Sequence, residues 1–240
     1  MTAVDKLLSI ALAEEGYCEK KSNSNLDDKT ANAGNGNYTK YARDLVNKIG
    51  APYAQGVAWC DMFVDWCFIK AFGADLAKKM LNGWSAYTPT SADYYKRAKR
   101  WYTKPQKGDQ IFFQSGSRIN HTGIVVDLSG ETVVTIEGNS SNKVRLKKYN
   151  LSDKTIAGYG RPYYGLVPEE KKPVSYDAVA TINGVDITEA LDPNVFDVKK
   201  YRNAFKDLDS AYGDNWPMYY WHWAISGKTE IENGKRAPFM

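Results

Sequence analysis

Apolar residues in the first hundred positions fall in helix-like clusters, and those of the next sixty alternate with polar ones. The stretch from Leu7 to Ala13, flanked by Asp5, Lys6, Glu14 and Glu15, predicts a helix over about residues 2–15. A polar Asn/Gly/Asp-rich loop follows at 21–37, then helices over 38–48 and 59–72, and more helix and loop to about 104. Period-two runs then predict strands at Asp109–Gln114, Thr122–Leu128 and Thr132–Glu137, with one or two more within 143–161. Helices first and strands after them indicate an α+β fold with an antiparallel sheet.

The alternation also constrains strand register. Placing Ile124, Val126 and Leu128 on the face that holds Val134 and Ile136 requires opposed residues whose numbers sum to an even value near 258 or 260. That register sets His121 opposite Glu137 or Asn139 and predicts a three-residue loop around Ser129-Gly130.

The pattern breaks at Val167-Pro-Glu-Glu-Lys-Lys-Pro173, a charged stretch bracketed by prolines. We therefore expect a first domain over 1–165, a linker over 166–175 and a small module over 176–240. The module carries a TINGVD turn and two helical stretches, FDVKKYRNAFKDL and NWPMYYWHWAI.

Composition narrows the class. The 240 residues are 43% hydrophobic and 25% charged, with 7 Trp and 17 Tyr, which excludes extended disorder. No run approaches the ~18 apolar residues of a membrane span, so no membrane insertion is expected. The N-terminus lacks a basic leader and a cleavage site, so synthesis in a host cytoplasm without a signal peptide is expected. The +4 net charge is uneven: residues 1–172 hold 25 basic against 18 acidic residues, while 173–240 hold 7 against 10. A basic first part suits an anionic polymer such as cell wall. Nucleic acid is not an expected partner, because the aromatics cluster in the acidic tail.

Three cysteines, Cys18, Cys60 and Cys67, cannot all pair within one chain. Cys60 falls in the first turn of the 59–72 helix, where unpaired backbone N–H groups and the positive end of the dipole stabilise a thiolate. Cys67 lies about 10.5 Å further along that helix, too far for a disulfide with Cys60, and reads as a packed thiol. A cysteine nucleophile needs a base, and only His121 and His222 exist; His121 shares the first domain. A structural thiol beside an exposed cross-strand His–Glu pair is a comparable reading of the same residues.

The segments WCDMFVDWC at Cys60, GDQIFFQ, INHTGIVV at His121 and TIEGN ending at Glu137 and Asn139 resemble the CHAP domain, the cysteine, histidine-dependent amidohydrolase/peptidase family. The similarity spans roughly residues 4–163, with the order and spacing Cys60, His121, Glu137, Asn139. It implies a papain-like fold that cleaves amide bonds of peptidoglycan. Cys60 would attack the scissile carbonyl, His121 would move its proton, Glu137 would orient the imidazole, and Asn139 would support that group or the oxyanion. Gln55 is a further oxyanion candidate, though an ordinary polar loop residue reads better. Some relatives bind calcium before the nucleophile; Asp27, Asp28 and Asn32–Asn37 offer oxygen donors without the DxDxDG spacing, so neither metal nor cofactor is expected.

The tail, VFDVKKYRNAFKDLDSAYGDN with WHWAISGKTE, is similar to short repeats of bacterial surface proteins and wall hydrolases. That similarity implies wall attachment through Trp216, Tyr219, Tyr220, Trp221 and Trp223, or else a small aromatic core. The expectation is an endolysin or autolysin acting on the wall after release, as an N-acetylmuramoyl-L-alanine amidase or an endopeptidase. The alternatives are a non-cleaving surface-binding protein and a papain-like protease of protein substrates.

Overall fold

The computed structural model describes residues 1–167, 180–192 and 195–237. It divides into two compact units, residues 1–169 and 170–240. The expected linker at 166–175 lies almost entirely outside the described residues.

In the first unit five helices precede the sheet: α1 (Ala3–Ala13), α2 (Lys40–Lys48), α3 (Cys60–Phe72), α4 (Ala74–Leu81) and α5 (Thr88–Arg97). Helix α1 begins in a capping box, with Thr2 accepting from the Asp5 amide and Asp5 returning to the Thr2 backbone. Helix α2 starts at Thr39, whose hydroxyl accepts from the Ala42 amide.

Helix α3 is buried nearly all round, not on one face alone. All of its residues except Lys70 and Phe72 are buried, Asp61 and Asp65 included. The cause is its central place: α1, α2 and α4 pack around it, and strand β3 (Arg118–Ser129) covers it from the sheet side.

Six strands form one antiparallel sheet: β1 (Trp101–Tyr102), β2 (Gln110–Ser115), β3 (Arg118–Ser129), β4 (Thr132–Glu137), β5 (Arg145–Asn150) and β6 (Ile156–Gly160). Their order is β1-β6-β2-β3-β4-β5. The α+β architecture expected from the sequence is thus the one observed. One face contributes Phe112, Ile124, Val126 and Ile136 to the main core with the helices. Ile111, Phe113, Val125, Val133 and Tyr159 form a second apolar cluster.

The β3–β4 register is half as expected. Ile124 opposes Ile136 and Val125 opposes Thr135, so the number sum is 260 at the site end. Val126 is then an extra residue, and beyond it Leu128 opposes Val133. The turn is therefore the two-residue Gly130-Glu131, not three residues, and Leu128 leaves the core face and is exposed. A bulge was invisible to an alternation rule that assumes an unbroken ladder.

Among the described residues, the second unit has a small hairpin, β7 (Thr181–Ile182) and β8 (Val185–Asp186), and four short α-helices: α6 (Val198–Ala204), α7 (Lys206–Tyr212), α8 (Trp216–His222) and α9 (Lys228–Glu232). A π-helical turn at Trp223–Gly227 joins the last two. Its core is Ile187, Ala190, Phe196, Tyr201, Phe205, Leu208, Tyr219 and Trp223. Two of the five aromatics expected to face a wall, Tyr219 and Trp223, are therefore core residues; Trp216 and Tyr220 pack against that core, and Trp221 is half-buried. A unit this small has few other large side chains with which to exclude water.

Candidate active site

Cys60 is the first residue of α3 and is 7% exposed. The preceding Trp59 has φ −122° and ψ 15°, a turn conformation that carries the chain from loop into helix, and its carbonyl accepts from the Phe63 amide at 3.0 Å. Its indole Nε1 donates to Glu19 Oε2 at 2.8 Å, and Glu19 Oε1 accepts from the Asn37 backbone at 3.2 Å. Glu19, itself 1% exposed, thus pins the residue before Cys60 and the loop beside it. Sequence reasoning missed this glutamate, which no motif marks.

His121 arrives on β3, opposite Phe113 of β2, and the two rings stack with centroids 5.7 Å apart. Its Nε2 lies 2.9 Å from Glu137 Oε2. The other nitrogen is left for Cys60. Burial by itself lowers the imidazole pKa, but the interactions with Cys60 and Glu137 outweigh it and push the value up to about 9. The positive form of the ring is thus favoured by its place beside a sulfur and a carboxylate.

The register explains why Glu137 reaches His121 diagonally. With a number sum of 260, Glu137 falls across from Gly123, two residues beyond His121 on the same face. A Cβ built on Gly123 would stand 2.6 Å from Glu137 Cγ and 2.8 Å from the Ile136 carbonyl, so the absent side chain is the channel through which the carboxylate lies. The carboxylate, 1% exposed, is held on its far side: Thr135 Oγ1 donates to Oε1 at 2.6 Å, and the Tyr149 hydroxyl is near enough to feel its charge. Thr135, Tyr149 and Phe113 were not singled out from the sequence; Thr135 sits at the two-residue offset where a partner of Glu137 could have been sought, whereas Tyr149 pairs with Val133, further along the ladder.

Asn139 is in the left-handed conformation, φ 55°, beyond the end of β4. Its side-chain amide points to Asn37 Oδ1 at 3.5 Å and not to His121 or Glu137. The structure therefore brings Cys60, His121 and Glu137 together and sets Asn139 beside them on a separate contact. Gly138, between Glu137 and Asn139, packs on α3, where a Cβ would come within 2.4 Å of Phe63 Cβ.

Gln55 has no amide free for an oxyanion. Its Oε1 accepts from the Thr39 backbone at 2.9 Å and its Nε2 donates to the Thr39 carbonyl at 2.8 Å, clamping the start of α2. In the early loop, Asp27 is held by a bidentate pair with Arg43 at 2.7 and 2.8 Å, and Asp28 Oδ1 caps the Thr30 and Ala31 amides. Cys67 is fully buried, and burial pushes its thiol well above the ordinary range.

No curated protein matches the chain. Among solved structures, Ly7917 aligns with a TM-score of 0.40 and 16% identity over 68% of this chain and 63% of its own. A protein from Staphylococcus aureus subsp. aureus Mu50, described as similar to lipoprotein of the NLP/P60 family, aligns with a TM-score of 0.34 and 15% identity, covering 67% of this chain and 41% of its own. The chain thus spans less than two thirds of the length of either protein. Among the described residues no helix is long and apolar enough to cross a membrane. The segment that carries Cys60, His121 and Glu137, residues 52–139, matches the family model of the CHAP domain.

Proposed function

We propose that this protein is a peptidoglycan hydrolase that cleaves an amide bond of the stem peptide or cross-bridge through a thioester on Cys60. The observation that carries the reading is one constellation inside the CHAP segment: a helix-start cysteine that interacts with a histidine whose Nε2 lies 2.9 Å from a buried glutamate.

The chemistry follows from those positions. The Cys60 thiolate adds to the scissile carbonyl, and the charge that develops on oxygen faces the Cys60 backbone N–H at the open start of α3. The His121 imidazolium gives its proton to the leaving amine as the C–N bond breaks, which leaves an acyl thioester. Neutral His121 then takes a proton from water, hydroxide adds to the thioester, and the sulfur leaves as thiolate beside the reprotonated ring. Glu137 keeps the ring oriented throughout and stabilises its positive form.

We further propose that residues 176–240 hold the enzyme on the wall, which suits an endolysin or autolysin. The half-buried rings of Trp216, Tyr220 and Trp221 supply faces for sugar or peptide stacking.

The test is turbidity loss of purified Gram-positive walls with wild type and Cys60→Ala, followed by mass spectrometry of the released fragments. Clearing that vanishes in Cys60→Ala supports the reading, and the new termini separate amidase from endopeptidase. Equal clearing by both proteins would overturn the nucleophile, and degradation of casein with intact walls would make the protein a protease of another substrate class.

A further inference from the structure

Behind the reacting pair, a buried chain of polar side chains runs from the nucleophile helix to the histidine strand. Asp61, next to Cys60, is 1% exposed; its Oδ2 accepts from Ser91 Oγ at 2.6 Å and its Oδ1 from Gln110 Nε2 at 3.0 Å. Gln110 on β2 is equally buried, and its Nε2 also donates to Oγ1 of Thr122, next to His121, at 3.1 Å. Its Oε1 accepts from the Tyr95 hydroxyl at 3.0 Å. Thr122, fully buried, commits its own hydrogen to the Ile111 carbonyl at 2.7 Å.

These bonds admit one assignment. Because the single Thr122 hydrogen is committed, its oxygen accepts, so the Gln110 nitrogen faces Thr122 and Asp61 and its oxygen faces Tyr95. Every polar atom in the chain has a partner, and no cation stands among the partners of Asp61. Burial pushes its carboxyl up to about 7, against the pull of Ser91 and Gln110. Stability does not account for such an arrangement, since apolar side chains of similar shape serve a core as well or better.

We propose that Asp61, Gln110 and Thr122 are positioning residues that fix the separation and mutual orientation of Cys60 and His121. Each end of the bridge is the chain neighbour of a reacting residue. Asp61 sets the rotation of the first turn of α3, Thr122 sets the height of β3, and the planar Gln110 amide is the spacer between them. Asp65, one turn along α3, provides the contrast. It is 3% exposed and is held by the Tyr53 hydroxyl at 2.6 Å and by the Ser85 backbone, neither of which belongs to the strands of the site.

The inference rests on Cys60 and His121 being the reacting pair, so its test has an arm that needs no wall substrate. In the full chain, the rate of Cys60 alkylation by iodoacetamide is followed by peptide mass spectrometry, alongside kcat and KM on solubilised wall. Gln110→Met and Thr122→Val are expected to lower both the alkylation rate and kcat about tenfold or more, with KM within about twofold, since small misplacements act on the chemical step. Thr122→Ser, which keeps the hydroxyl, restores both. Tyr53→Phe lowers the melting temperature but leaves Cys60 alkylation within about twofold of wild type, because it perturbs the same helix without touching the bridge. Wild-type alkylation in Gln110→Met and Thr122→Val, or an equal loss in Tyr53→Phe, overturns the proposal. If Gln110→Met does not fold, the Thr122→Val and Thr122→Ser pair decides alone. A wild type that clears no wall would sink the hydrolase reading and leave the alkylation arm standing.

Discussion

The chain has two histidines, one in each unit, and their surroundings differ in one respect that matters. His121 puts Nε2 on the Glu137 carboxylate at 2.9 Å, and His222 puts Nδ1 on the Tyr201 hydroxyl at the same 2.9 Å. Both rings are partly buried, and both meet aromatic neighbours. Yet His121 is pushed up to about 9, while burial and the Arg236 charge hold His222 below its ordinary value. Burial acts on both rings in the same direction. What reverses its effect at His121 is a pair of direct partners able to carry negative charge, whereas at His222 the direct partner is a neutral hydroxyl and the charges of Glu230 and Asp207 do not outweigh burial and Arg236.

The largest effect expected from breaking this contrast comes from Glu137→Gln, which gives His121 the kind of neutral partner that His222 has. The loss expected in kcat is on the order of 10³- to 10⁴-fold, the scale seen when the orienting acid of a triad is made neutral. Histidine proton shifts followed by NMR should show the His121 titration falling from about 9 towards the ordinary value. An unchanged titration would mean that Cys60 alone sustains the imidazolium.

Gly123→Ala tests the same pair without altering its chemistry. The added methyl must displace Glu137 Cγ or the β4 backbone, so the carboxylate loses its path to His121. The expected cost is about 10- to 100-fold in kcat, because misplacement of this size acts on orientation. Wild-type activity in Gly123→Ala would show that the diagonal reach of Glu137 is not needed.

The two histidines also predict opposite pH dependences of stability. The folded value of His121 lies above its unfolded value near 6.5, so its contribution is complete below about 6.5 and is lost as pH rises through about 9. The folded value of His222 is depressed, so its contribution is present above about 6.5 and declines as pH falls. Thermal unfolding across pH 5–10, with the Cys60→Ala and Glu137→Gln variants, should remove the alkaline arm and keep the acid one. An alkaline arm that survives both substitutions would place its origin in some other group.

How much of this was legible beforehand depends on the kind of information each feature needs. The helix order, the strands and the His121–Glu137 proximity follow from apolar spacing, because burial of one face constrains every residue that shares it. The Val126 bulge and the two-residue Gly130-Glu131 turn do not, since an inserted residue preserves the local pattern on both sides. Glu19, Tyr149 and Gln110 are brought to the site by chain segments remote in sequence, and no spacing rule reaches across them. The tail aromatics left two readings open for a different reason. Trp and Tyr serve equally as core or as binding surface, and only the packed unit shows that Tyr219 and Trp223 are core.

The smallest expected effect completes the contrast from the side of the second unit. His222→Leu removes the partner of the Tyr201 hydroxyl at Nδ1 while keeping an apolar side chain in a half-buried place. The cost expected is about 1 kcal/mol, the usual scale for one lost neutral hydrogen bond. It should appear as a lower melting temperature for a tryptophan-fluorescence transition of the isolated 176–240 segment, if that segment folds, and otherwise of the full chain. Turnover of soluble wall fragments should stay at the wild-type rate, because neither His222 nor its partner Tyr201 belongs to the Cys60, His121 and Glu137 set. A drop in turnover comparable to that of Glu137→Gln would mean that the second histidine serves the chemistry after all, and that the neutral partner of an imidazole is no guide to its role.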